Sequence, residues 1–467
     1  MTVTENALAP SAHNLLDLDR RHLLHPLHHP VECHDPIVYA RGLGSTVEDV
    51  SGRTYLDGLS GLWNVNIGHG RAEMAETAAA QMRELAFFSS YAGSSNVPSI
   101  TLAGRLMELA CDNMEGVFFV STGSEANESA FKTARFYWRA NGRPEKVKVI
   151  ARGEAYHGAT LQAMSATAMR GYWKMFEPRV PGFVHVQPAH PYRFQGAHPD
   201  ETMGQAAARE LEETILREGP ETVAAFIGEP IQGAGGVFYP ADDYWQRVRE
   251  VCTRYDVLLI TDEVITGFGR TGRWFGLEHW GVQPDIISIA KGVTSGYLPL
   301  GGILVSRQIK QTIDSVKPEN RWMHGSTYSG HPTCCAVALK NIEIIEREGL
   351  LEHSAQMGNR LLTGLTEALG SHPHVGNIRG GKGLMAAVEF VEDRATKANF
   401  PTERKIAPSL QNEVLKRGVV TRTRPAVGPH PNPGDGIFFA PPLVITPDEV
   451  DRIVAATAES VRVVLGR

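Results

Sequence analysis

The chain has 467 residues, 42% of them hydrophobic and 21% charged, with a formal net charge of −6 and no long basic stripe. That composition suits a globular protein with one large domain and a smaller one, and it argues against nucleic acid or an anionic membrane as a partner. No run approaches roughly 18 uninterrupted apolar residues, the N-terminus lacks a basic start followed by an apolar core, and five scattered cysteines (Cys33, Cys111, Cys252, Cys334, Cys335) without a CxxC pair fit reduced thiols, so a cytoplasmic protein is expected.

The first forty residues are rich in His and Pro and read as an arm with one short helix. His22, His25, His28, His29 and His34 raise the question of a metal site. Prolines break the helical spacing and no carboxylate or thiol pattern completes a ligand set, so no metal is expected. STVEDVSGRTYLDGLSGLWN (45–64) reads as hairpin strands. From about Val117 the pattern alternates. GVFFV, KVKVIA, TVAAFIGEP, VLLITDE, DIISIA and GGILVS read as strands, while SEANESAFKTARFYW and DDYWQRVREVCTRYD read as helices. Apolar strands alternating with helices predict a mostly parallel sheet buried on both faces, with active groups at the strands' carboxyl ends. After Gly349 come a helix (350–370), strand-like GLMAAVEFV, a Pro- and Gly-rich loop (RPAVGPHPNPGDG), IFFAPPLVI, and a final helix starting near Pro447. These expectations divide the chain into an arm and part of a small domain (1–75), a large domain (76–345) and the rest of the small α+β domain (346–467).

Three motifs mislead. Gly267-Phe268-Gly269-Arg270-Thr271-Gly272 spells G-x-G-x-x-G, but no clear helix opens after it, as a dinucleotide site requires. GNIRGGKG (376–383) approaches a phosphate loop, yet glycine follows Lys382 where Ser or Thr would hold Mg²⁺; it reads as a turn before a strand. Asn127-Glu128-Ser129 fits a glycosylation sequon inside a helix, in a chain with no export signal.

Three other features carry chemistry. Ser121-Thr122-Gly123-Ser124 joins a strand to a helix, either as a plain cap or as a phosphate site made of free N–H groups and the helix dipole. Asp262-Glu263 ends an apolar strand, as a surface acid pair or as a functional carboxylate. Lys291 ends another, as a snorkelling ammonium or as an amine nucleophile whose pKa desolvation lowers. Together they fit a ligand with a phosphate, a ring nitrogen and an aldehyde, namely pyridoxal 5′-phosphate (PLP). Tyr156-His157-Gly158 adds an aromatic face for its ring.

With LSGLWNVNIGHG, STGSEANESAFKTAR, YHG, GEPIQGAGGV, ITDEVITGFGRTG, AKGVTSGYLPLGG and HGSTYSGHP, the chain resembles a class III aminotransferase of the fold-type I PLP enzymes from about Pro30 onward. It is most similar to the ω-transaminases, such as amine–pyruvate and β-alanine–pyruvate enzymes. The resemblance implies a large α/β domain around a seven-stranded, mostly parallel sheet between helices, with a smaller α+β domain built from both termini. It implies that Lys291 binds PLP as a Schiff base and moves the proton. Asp262 then pairs with the pyridine nitrogen, Val264 packs under the ring and Tyr156 stacks on it. Gly123 and Ser124 cradle the phosphate, and Glu229 is a buried acid near the cofactor. Thr327 reaches the phosphate from the neighbouring subunit, making a homodimer, or a tetramer, with sites at the interface. Trp63 and Tyr91 resemble the aromatics of the amine pocket. Arg422 resembles the mobile arginine that pairs with the acceptor's carboxylate, with Arg424 competing for that role. The implied reaction moves an amino group from a primary amine or ω-amino acid to pyruvate by a ping-pong mechanism. A diamine, GABA or taurine transaminase, a semialdehyde aminomutase, a dialkylglycine-type decarboxylase, or an idle PLP-binding protein would carry much the same cofactor residues.

Overall fold

A computed structural model of the chain describes residues 12–27, 29, 36–91, 93–428 and 430–466. A seven-stranded sheet lies at its centre. The spatial order is Met114–Val120, Gly301–Ser306, Ile286–Ile289, Leu258–Asp262, Val223–Gly228, Lys148–Arg152 and Phe183–Val186. The last five run parallel to one another. Gly301–Ser306 runs antiparallel to both its neighbours, so Met114–Val120 points the same way as the other five. The carboxyl ends of all strands but one therefore share one edge of the sheet.

Strand alternation sorts the core into two layers. Ala225, Ile227, Leu258 and Ile260 face a helix, Gly123–Ala140, that presents Ala126, Ala130 and Ala134. Phe226 and Leu259 face the opposite way, onto Trp245, Val248 and Cys252 of the helix Tyr244–Arg254. Small residues on the first helix let it lie close to the sheet, and its first turn is thereby pressed onto the sheet's functional edge. Thr122 caps that helix, its side chain accepting from the Glu125 N–H at 3.2 Å.

Two smaller sheets flank this core. Tyr39–Leu43, Thr46–Asp49 and Thr54–Asp57 form the expected hairpin strands, and Val419–Val420 joins them in parallel with Thr54–Asp57. The antiparallel sheet Val375–Gly381, Gly383–Phe390, Asp435–Phe439 and Arg422–Arg424 completes the C-terminal part. Two expectations need correction. GNIRGGKG is mostly strand: its backbone pairs with Gly383–Phe390 although its glycines weaken strand propensity, and the turn is confined to Gly381–Gly383. Ser60–Trp63 is not hairpin strand but a short, broken helical turn, with Ser60 at φ 51° and Trp63 at φ 64°.

In the N-terminal arm the expected short helix spans Ala12–His22. His25 bonds to Asp19 at 2.9 Å, while His28, Cys33 and His34 lie outside the described residues. Among the described residues no helix is long and apolar enough to cross a membrane.

Candidate active site

The shared strand edge gathers the residues that stood apart in the sequence. A cavity of about 140 Å³ opens there, lined by Gly123, Ser124, Tyr156, Glu229, Asp262, Val264 and Lys291. They follow or end five different strands of the sheet, with Gly123 and Ser124 sharing one and Asp262 and Val264 another.

At one end lies the start of the helix Gly123–Ala140, whose first N–H groups and dipole suit an anion. Gly123 is tightly packed: a Cβ would lie 3.0 Å from a methyl of Val264, which would have to give way. At Gly158, where φ is +130°, a Cβ would lie 2.5 Å from the Ser124 hydroxyl. That hydroxyl accepts from the Ala159 N–H at 3.2 Å, which fixes it at the cavity's edge.

Asp262 is held from three sides. Its Oδ2 accepts from Asn127 Nδ2 at 2.7 Å and from His157 Nδ1 at 2.8 Å. Its Oδ1 accepts from the Val264 N–H at 3.1 Å. A carboxylate only accepts, so His157 carries its proton on Nδ1. The Nε2 of His157 and the Oδ1 of Asn127 are buried without a partner. Neither residue was marked as functional by the sequence. His157 was visible only as part of YHG. Asn127 had one usable signal: an amide on the face of the helix that otherwise buries alanine and phenylalanine.

Lys291 sits in the left-handed region at φ 47°. That conformation costs a lysine about 1–3 kcal/mol and recurs at functional sites. Burial drives its amine's pKa from 10.5 down to about 8, with Asp262 and Glu229 pulling it back up. Glu229 is itself fully buried. Burial pushes its carboxyl above the usual range, although Gly233 N–H at 2.7 Å and Tyr156 N–H at 3.3 Å donate to it.

The two arginines part company. Arg422 and Arg424 sit two apart on one short strand. Burial raises the phenol pKa of Tyr156 and Tyr172, and the charge of Arg422 opposes that rise at both. The two tyrosine rings lie 5.3 Å apart. Arg424 is buried in an ion pair with Glu154 and donates to the carbonyl of Gly235.

Trp63 is buried in the same apolar cluster as Ile265, which lines the cavity, and its indole N–H lacks a partner. Tyr91 and Thr327 do not line the cavity of their own chain; both are exposed. Tyr91 lies against the loop that carries Thr327, since a Cβ on Gly325 would stand 2.2 Å from the Tyr91 hydroxyl. The 321–330 loop is tied down through His324, which bonds to Ser129 Oγ and Lys132 Nζ at 2.8 Å each.

The sequence matches the family model for class-III aminotransferases over residues 29–461. The chain belongs to the class III aminotransferases. This aminotransferase is 41% identical over 458 residues to the diaminobutyrate–2-oxoglutarate transaminase of Halomonas elongata, with 96% of each chain covered. It is 39% identical over 417 residues to the putrescine–pyruvate aminotransferase of Pseudomonas aeruginosa, covering 89% of this chain and 88% of that one. Its fold is similar to a thermostable (S)-enantioselective ω-transaminase from Thermomicrobium roseum, at TM-score 0.92 and 48% identity over 98% of this chain and 100% of that one. It is also similar to the ω-transaminase of Pseudomonas jessenii in complex with PMP, at TM-score 0.90 and 40% identity over 96% and 98% of the two chains.

The aminotransferase's cofactor is PLP. The residues present fit it: an anion seat at the helix start, a fixed carboxylate, a half-buried aromatic and a buried amine all border one cavity. One test needs no turnover. Only a neutral amine attacks an aldehyde, so PLP capture by the cofactor-free aminotransferase should speed up about tenfold from pH 7 to pH 9 and level off above. Stopped-flow absorbance measures it, and a profile still climbing at pH 10 would place the Lys291 pKa near that of free lysine.

Proposed function

We propose that this class III aminotransferase moves the amino group of a primary amine or ω-amino acid to pyruvate in two half-reactions. Bound PLP supplies an electrophilic carbon for the amine and a ring that takes up the electron pair left when the substrate's C–H proton departs. The protein supplies the proton traffic and the orientation. Neutral Lys291 takes that proton at Nζ and returns it to the cofactor. Asp262, aligned by Asn127 and His157, keeps a proton on the ring nitrogen. Gly123 and Ser124 hold the phosphate, Tyr156 and Val264 cover the ring's two faces, and Glu229 braces the turns around Tyr156 and Gly233.

One observation supports a keto-acid acceptor such as pyruvate: the charge of Arg422 acts on Tyr156, Tyr172 and Lys291, while Arg424 is already engaged. A guanidinium that meets a carboxylate in one half-reaction and yields to an apolar amine in the other fits a single pocket with two kinds of substrate. Trp63 forms its apolar wall. The exposed Tyr91 and Thr327 lie near apolar groups that are themselves exposed, including Phe88, Met323 and Tyr328. A second copy burying that surface would bring Thr327 to its phosphate and Tyr91 to its amine pocket, which makes the working unit a homodimer.

A panel of donors (putrescine, β-alanine, an arylalkyl amine) against pyruvate, 2-oxoglutarate and a neutral aldehyde tests this reading. Pyruvate should be the preferred keto acid. Arg422→Ala should raise the KM for pyruvate about tenfold or more, as expected for loss of a bidentate charge-assisted pair, and leave the aldehyde within about twofold. Preference for 2-oxoglutarate would move the assignment toward the acceptor in the Halomonas elongata enzyme's name.

A further inference from the structure

We infer that Arg424 and Glu154 form a positioning device for the acceptor arginine: their buried pair fixes the root of Arg422 relative to Tyr156. The inference rests on the reading of Arg422 as the carboxylate clamp.

Three observations carry it. First, Arg424 joins separate parts of the chain. It sits on the strand Arg422–Arg424, reaches the Glu154 carboxylate two residues before Tyr156, and donates to the carbonyl of Gly235, six residues past Glu229. Second, the backbone it reaches has no slack. Glu154 lies in the left-handed region at φ 60°, and a Cβ on Gly235 would stand 2.1 Å from the Glu154 carbonyl oxygen. Third, the side chains of the pair are only 10% and 14% exposed. A buried ion pair gives little net stability over an apolar pair of the same shape, and its best-attested use is to fix register.

The strand gives the device its lever. Residues two apart on a strand point to the same face, roughly 6–7 Å from each other. Arg422 and Arg424 therefore share a face, and pinning the second leaves the first free only as a side chain. It swings from a fixed root. If the strand itself shifted, Arg422 would lose its distance to Tyr156 and Tyr172 with it. The pair also removes Arg424 as a rival seat for the carboxylate, since its fork is already occupied.

The test uses the PLP-loaded enzyme and reads KM for pyruvate and for a neutral aldehyde, with the inhibition constant of propionate, a carboxylate that does not react. Arg424→Gln should raise the pyruvate KM and the propionate constant about tenfold, with the aldehyde within about twofold. Arg424→Lys, which keeps the charge but loses the fork, and the near-isosteric Glu154→Gln should fall between wild type and Arg424→Gln. The decisive variant is the double one. Because Arg424 acts through Arg422, Arg422→Ala with Arg424→Gln should be no worse for pyruvate than Arg422→Ala alone. Additive losses would make Arg424 a direct ligand, and equal losses for pyruvate and aldehyde in Arg424→Gln would make it plain packing; either overturns the inference. If Arg422→Ala alone fails to separate pyruvate from the aldehyde, it is the clamp reading that falls.

Discussion

The Lys291→Ala protein is expected to lose transamination by at least about 10⁴-fold, the upper end for removal of a general base alone. The loss should fall in kcat, because the amine moves a proton in the transition state. The protein should also lose the visible band of covalently held cofactor, and borohydride should no longer fix PLP to the chain. The substitution leaves the other lining residues of the cavity in place, so PLP should still bind through the phosphate and ring contacts. A small neutral amine such as methylamine should then restore a measurable fraction of the rate. Wild-type turnover in Lys291→Ala would remove this lysine from the chemistry.

Asp262→Asn should slow kcat about 10²–10³-fold, the range for removing one preorganised charge from a buried site. Asparagine is nearly isosteric, and its one accepting oxygen can keep Asn127 and His157, but its NH2 then faces the Val264 N–H, which loses its acceptor. The loss therefore reports the charge together with that one hydrogen bond, and not shape. What disappears is the anion that holds a proton on the ring nitrogen. Proton removal from the substrate should become more rate-limiting, so the kinetic isotope effect with α-deuterated amine should grow. Substitution of His157 by Asn should give a smaller loss of the same kind, since it only loosens the carboxylate. A fall confined to cofactor affinity, with kcat unchanged in saturating PLP, would assign Asp262 to binding alone.

Much of this was legible in the sequence for one reason. A buried parallel strand reads as an unbroken apolar run, so a charge at its end stands out, as Asp262 and Lys291 do. The strand-to-helix glycine at 123 reads in the same way. The carboxylate's helpers do not, because they meet Asp262 across 105 and 135 residues of chain, and the local signals they carry, a buried amide on a helix and the His of YHG, do not point to a partner. Arg422 and Arg424 share a strand face, and their difference depends on a glutamate 270 residues from Arg424. GNIRGGKG hid a strand because pairing with its neighbour outweighs the weak propensity of its glycines. Nor does GGILVS reveal its direction, since an apolar run reads the same both ways.

That reversed strand has a consequence for how the molecule is made. Gly301–Ser306 lies between Met114–Val120 and the rest of the sheet, and it is the edge strand's sole neighbour there. During synthesis the edge strand leaves the ribosome roughly 190 residues before the strand it must dock on, an interval of about 10–40 s at ordinary elongation rates. Through that time an apolar ribbon waits with its backbone unpaired, open to wrong partners. The phosphate end of the cavity, which grows directly from that strand, cannot be set until the delay is over. Cofactor capture thus waits until the chain has been made at least as far as Ser306 of its 467 residues, and the unpaired ribbon stays exposed until the phosphate end of the site is set.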